Sequence, residues 1–209
     1  MSRELEIAVD STSVERARTD LAVVPLHAAE RPLRGTAGRA DWRLCGKLSA
    51  LLVEGRLAGV RGEAALVATF GGLRAPFLLV LGAGDRTGFD APAVAALARD
   101  AVARGVSLGA RTLSLPFPGD GAGPAAQEHR AAALLAGAAE AVGAADPPVR
   151  IELHLLVSRE EVTRTVDLLR RARPARIPEA VALRLPVSAA HRPGVSPDPP
   201  HLMPPGARN

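Results

Sequence analysis

The stretch "LVLGAGDRTGFD", residues 79–90, carries the residue types most suited to holding a ligand. An apolar run enters glycines and then heads towards a helix. Backbone N–H groups exposed at such a turn can cradle a phosphate, because glycine lets another backbone or a ligand come close. Gly82, Gly84 and Asp85 are the candidate ligand-binding residues. Gly82, Gly84 and Gly88 do not have the G-x-G-x-x-G spacing of a dinucleotide fingerprint. The competing reading is a tight strand-to-helix turn with Asp90 as the helix cap.

Other reactive side chains are scattered. His191, Asp198 and His201 are irregularly spaced in a proline-rich segment, whereas a metal site needs fixed geometry. No metal is expected. His154, between Leu153 and Leu155 in a strand pattern, reads as a packed or hydrogen-bonded histidine; His27 lies just past a strand end with no evident partner. Cys45 falls on an apolar helical face and reads as core. Ser114 in "TLSLP" lacks the G-x-S-x-G turn of a hydrolase elbow, and Lys47 and Ser49 point to different helix faces. Trp42, the single tryptophan, suits a core edge or an anchor for a protein partner, and the core edge is preferred. Arg170, Arg171, Arg173 and Arg176 make the densest basic cluster. Without interleaved aromatics it suits a helix C-terminus better than nucleic acid.

These residues need a scaffold, and the hydrophobic pattern supplies one. Strand-like segments are "LEIAV" (5–9), read as a half-buried edge strand, "DLAVVPL" (20–26), "AALVATF" (64–70), "FLLVLG" (77–82), "TLSLPF" (112–117) and "VRIELHLLV" (149–157). The 64–70 and 77–82 runs read as buried strands joined by a hairpin-type connection, "GGLRAP". Helical patterns cover 41–55, capped by Asp41 and ended by Gly55; 89–105, capped by Asp90 with Pro92 in the first turn; and the alanine-rich 125–143. Ser158 and Glu161 form a capping box for a fourth helix. The alternation predicts an α/β fold of three layers, a mixed β-sheet flanked by helices. The 5–9 edge strand and the 64–82 hairpin suggest antiparallel pairs within it.

Residues 1–173 are expected to form this domain. Nine of the eighteen prolines lie from Pro174 onward, so residues 174–209 are expected to be a largely disordered tail, with 179–185 docking as a short element. The composition is 47% hydrophobic with 2% aromatics, so the core must be built from Leu, Val and Ala. A single cysteine excludes an internal disulfide and suits a reducing, cytoplasmic setting. The N-terminus lacks the pattern of a signal peptide, and no apolar run is long enough to span a membrane. Lys47 is the only lysine and the formal net charge is only +4, so nucleic acid is not the expected partner.

Residues 41–90 resemble the N-terminal domain of the leucyl aminopeptidases, the M17 metallopeptidase family. The resemblance is carried by Asp41, Gly46, Leu48, Ser49, Leu51, Leu52, Gly55, Leu57, Gly59, Gly62, Gly82 and Gly84. It extends at pattern level over residues 4 to 173 and implies a fold similar to macro domains. In that family a separate catalytic domain holds two metal ions through a lysine, aspartates, a glutamate and an "NTDAEGRL"-like stretch. These 209 residues contain no such stretch. The resemblance therefore implies a non-catalytic protein without cofactor, acting through protein contacts: with a full-length aminopeptidase, whose relatives form hexamers, or with copies of itself. Two alternatives are a macro-like module binding a nucleotide or ADP-ribose near Gly82–Asp85, and a DNA-binding accessory protein.

Overall fold

A computed structural model describes residues 2–118 and 123–186. Among these, seven strands form one sheet in the order β3-β4-β2-β5-β6-β1-β7. The strands are β1 (Arg3–Asp10), β2 (Leu21–His27), β3 (Ala64–Ala68), β4 (Phe77–Gly84), β5 (Thr112–Pro116), β6 (Arg150–Leu156) and β7 (Val181–Arg184). The helices are α1 (Gly35–Arg43), α2 (Lys47–Val53), α3 (Ala91–Ser107), α4 (Pro124–Ala144) and α5 (Val162–Arg171). All neighbouring strands run parallel except β3 and β4, which pair antiparallel. The fold is thus the expected mixed sheet between helices.

The pleat sorts side chains by face, because successive residues of a strand point to opposite sides. Leu5, Ile7 and Val9 of β1, Leu113 and Leu115 of β5, and Ile151, Leu153 and Leu155 of β6 share one core with α3, α4 and α5. Each such leucine contributes about 1.5–3 kcal/mol of burial free energy. In α3, Val94, Leu97, Ala98, Ala101 and Val102 form the inward stripe, and the Asp90 side chain accepts from Ala93 N at 3.0 Å. The capping box of Ser158 and Glu161 forms as the pattern implies.

The opposite face is covered unevenly. Leu48, Leu51 and Leu52 of α2 and Ala40 of α1 pack with Ala22, Val24, Val67, Leu78 and Val80 of β2, β3 and β4. Over β6, β1 and β7 the alternate positions are instead charged: Arg184 pairs with Glu4, and Arg150 with Glu4 and Glu6. Charged residues there explain why "LEIAV" alternates.

Four sequence expectations change. The 5–9 strand is neither an edge nor antiparallel, since β1 lies between β6 and β7 and is parallel to both. Alternation reported a polar face, not a sheet edge. The 64–70 run is the true edge, and within β3 only Val67 is buried. The helix expected over 41–55 is two helices. Cys45 and Gly46 take left-handed backbone (φ 53° and 80°) between them, and Cys45 is exposed rather than core. Asp41 caps from the last turn of α1: it accepts from Leu48 N (2.8 Å), Ser49 N (3.0 Å) and the Ser49 hydroxyl (2.5 Å), and so starts α2. Finally, the sheet runs past residue 173, because β7 pairs with β1 over Arg3–Glu6. This is the short element expected at 179–185. His191, Asp198 and His201 lie outside the described residues.

Candidate functional site

The glycine turn is occupied by the protein's own chain. Residues 57–62 form a loop whose amides at Ala58, Gly59 and Val60 all donate to one Glu63 carboxylate oxygen, at 2.9, 2.7 and 3.2 Å. Those bonds hold the Glu63 carboxyl below its ordinary pKa. The loop then lies against β4. A Cβ on Gly82 would stand 1.8 Å from the Val60 carbonyl oxygen, and one on Gly84 2.8 Å from the Arg61 side chain. Gly84 N donates to Gly59 O at 2.9 Å, and the Arg61 guanidinium reaches the Gly88 carbonyl. The close backbone approach that glycine permits at this turn is an internal one. Asp85 is exposed and makes no side-chain cap. Gly82 does border a cavity of about 360 Å³ on the α3 side, with Arg61, Leu97, Arg99, Asp100 and Arg104 around it; Gly84 and Asp85 do not.

His27 closes the same region. Its ring meets the Gly84 carbonyl at 3.1 Å and makes a T-shaped contact with Phe89, centroids 4.9 Å apart. Burial pushes its pKa down, and the Gly84 bond offsets part of that. His154 is in the opposite state. Its Nδ1 lies 2.5 Å from Asp10 Oδ2, and its Nε2 lies 3.3 Å from Glu152 Oε1. Burial works against the charge, but the bonds to Asp10 and Glu152 outweigh it and push the pKa up to about 9. The two carboxylates take opposite ring nitrogens and do not converge on a common point. Among the described residues no group of His, Cys, Asp and Glu could hold a metal ion.

A polar cleft of about 360 Å³ opens at the carboxyl ends of β1, β5 and β6. In parallel sheets this is where ligands settle, because the loops there diverge. Ser11, Thr12 and Ser13 line it from the loop after β1, Thr36 and Arg39 from α1, Phe117 after β5, and Ser158 and Glu161 before α5. Ser158 and Glu161 are bonded to each other at 2.8 Å. The Glu15 carboxyl beside it is held below its ordinary pKa although burial opposes its charge, through bonds from Ser13 and its own backbone and the fields of Arg39 and Arg16. Sequence reasoning missed this cleft, since its hydroxyls come from three separate segments.

The aromatic residues carry a different signal. Trp42 is 76% exposed and Phe70 is 96% exposed. Arg43 Nε donates to Gly72 O at 3.2 Å, so the end of α1, which carries Trp42, and the 69–72 turn, which carries Phe70, lie side by side. Trp42 is therefore no core-edge residue; α1 buries Ala37 and Ala40, and Trp42 lies on its other side. Val53 at the end of α2 is 89% exposed as well. Phe70, at φ 47°, was not singled out from the sequence, although the two glycines after it mark a turn.

A mixed sheet with helices on both faces and a ligand-sized cleft at the strand ends defines an α/β domain of macro-like architecture. Solved structures show the same fold: the macro domain of ganglioside induced differentiation associated protein 2 (TM-score 0.60, 13% identity, 82% of this chain and 86% of that chain) and tomato leucine aminopeptidase (TM-score 0.61, 19% identity, 80% of this chain and 35% of that chain). The N-terminal domain of the cytosol aminopeptidase family matches residues 23–142, and the chain belongs to that family. Probable cytosol aminopeptidases of Xylella fastidiosa are 32% identical over 87 residues, which is 42% of this chain and 18% of theirs. The match thus spans under a fifth of the length of those relatives. The family's N-terminal domain is not its catalytic domain. No helix among the described residues is long and apolar enough to cross a membrane.

Proposed function

We propose that this domain works through protein contacts and performs no chemistry of its own, assembling with or regulating a peptidase, or associating with itself. One observation carries the reading: in a chain with one tryptophan and four phenylalanines, Trp42 and Phe70 stand in solvent on two segments joined by the Arg43–Gly72 hydrogen bond, while the leucine core is closed. Exposed aromatics in a compact patch are the usual anchors of interfaces, because each buries a large area at low conformational-entropy cost. The test is binding of the purified chain to a full-length cytosol aminopeptidase by calorimetry, and sedimentation of the chain alone. Trp42→Ala and Phe70→Ser are expected to weaken whichever association is seen about 10-fold or more. Association unaffected by both substitutions, or none of either kind, overturns the reading.

The cleft supports a second reading, binding of a nucleotide or ADP-ribose-like compound. A macrodomain of Oceanobacillus iheyensis, solved with ADP, has the same fold at 12% identity (TM-score 0.55, 78% of this chain and 87% of that chain). In this chain the cleft offers hydroxyls, Arg39 and the start of α1, where no acidic residue occupies the first turn. On this second reading the ligand would sit in that cleft, which Gly82, Gly84 and Asp85 do not line. Calorimetry with ADP-ribose tests it; no heat and no thermal shift at millimolar ligand removes it.

A further inference from the structure

β3 ends the sheet, and among the described residues no strand pairs with its outer side. Its register shows which backbone groups are free there. Ala64 lies opposite Leu81 and Ala68 opposite Phe77, so paired positions sum to 145. Gly82 N donates to Glu63 O at 2.8 Å and Thr69 N to Pro76 O at 3.0 Å. In an antiparallel pair, bonded and non-bonded positions alternate. Residues 63, 65, 67 and 69 therefore bond inward to β4. Ala64, Leu66 and Ala68 turn their N–H and C=O groups outward.

This edge lacks the usual guards. Edge strands are commonly blunted by charge, proline or a bulge, whereas β3 reads "AALVA" and pairs with β4 without a register shift. Leu66 at its centre is 37% exposed.

We propose that the outer edge of β3 pairs with β3 of a second copy of this chain, antiparallel about a two-fold axis at Leu66. This deepens the self-association branch of the reading above by naming its surface and register. The outward groups of residues 64, 66 and 68 meet those of 68, 66 and 64 in the copy and form six N–H···O=C bonds. The occupant follows from what the register brings together. Ala64 faces Ala68, Ala65 faces Val67 and Leu66 faces Leu66, so the paired strands are apolar throughout. Glu63 faces Thr69, so no like charges oppose each other; like charges directly opposite would be destabilising. An unrelated strand has no reason to satisfy all of these at once. The self-paired edge joins two seven-stranded sheets into one.

The test combines sedimentation with directed cross-linking of the full chain. The wild-type chain is expected to show a reversible monomer–dimer equilibrium, and Leu66→Lys, which puts two cations on the axis, is expected to raise the dimer dissociation constant about 10-fold or more. Leu66 is partly exposed, so the fold should survive the change; circular dichroism checks this. In a Cys45→Ser background, Leu66→Cys should oxidise to a covalent dimer, since opposed residues of a bonded antiparallel pair lie about 5.5 Å apart, within disulfide reach. Ala64→Cys should not, because residue 64 and its copy would lie about 13 Å apart along the strand. A monomer at every concentration, a dimer indifferent to Leu66→Lys, or equal cross-linking at 64 and 66 overturns the proposal. Aminopeptidase binding that Trp42→Ala weakens would survive that failure, so the two readings fall separately.

Discussion

Replacing His154 with glutamine should remove a pH-dependent part of the fold's stability. His154 sits on β6 between Asp10 of β1 and Glu152 of its own strand, while β5 offers only the neutral Ser114 at the paired position. Its pKa rises from the ordinary 6.5 to about 9, and at about 1.36 kcal/mol per pH unit this corresponds to about 3 kcal/mol. The folded state binds the proton more tightly than the unfolded chain. Its stabilisation is therefore complete below about pH 6.5 and lost as pH rises through about 9. Urea unfolding of the wild type and His154→Gln at several pH values between 6 and 10 measures it. The gap between the two proteins should be about 3 kcal/mol at pH 6 and should shrink towards pH 10. Parallel pH profiles over that range, or an imidazole titrating at or below 6.5 by NMR, would refute the reasoning.

Three further substitutions probe the turn, the helix break and the exposed ring. Gly82→Ala drives a Cβ into the Val60 carbonyl, 1.8 Å away, and should lower unfolding free energy by about 3 kcal/mol, read by chemical denaturation. A loss under about 1 kcal/mol would mean the 57–62 loop yields freely. Asp41→Ala removes three bonds that start α2 and should cost about 2 kcal/mol by the same assay, at the upper end for a lost cap. Trp42→Ala, by contrast, should leave stability within about 0.5 kcal/mol while weakening association, because the ring is 76% exposed. A large stability loss would return Trp42 to the core.

Local chemistry in the sequence was sufficient for the cap at Asp90, the capping box at Ser158 and Glu161, and the strand–helix alternation that defines the class. These depend on neighbours a few residues apart, where spacing and side-chain type decide the outcome. Periodicity also marked Leu5, Ile7 and Val9 as inward. It could not say that β1 is an interior parallel strand, because a charged sheet face and a sheet edge produce the same alternation. Nor could an apolar run separate the edge strand β3 from the buried β4, since strand neighbours are chosen across distance. The helix expected over 41–55 failed where Asp41 reaches forward to cap a second helix, and Cys45 at that break is exposed. The glycines at 82 and 84 were visible from the start, yet what presses on them, the Val60 carbonyl and Arg61, arrives from a loop some twenty residues earlier. Spacing marked most of the elements, and the resemblance over residues 41–90 pointed to the family; only the packed chain decided which faces close on each other and which stay exposed, because burial is a property of the whole assembly of segments and not of any one of them.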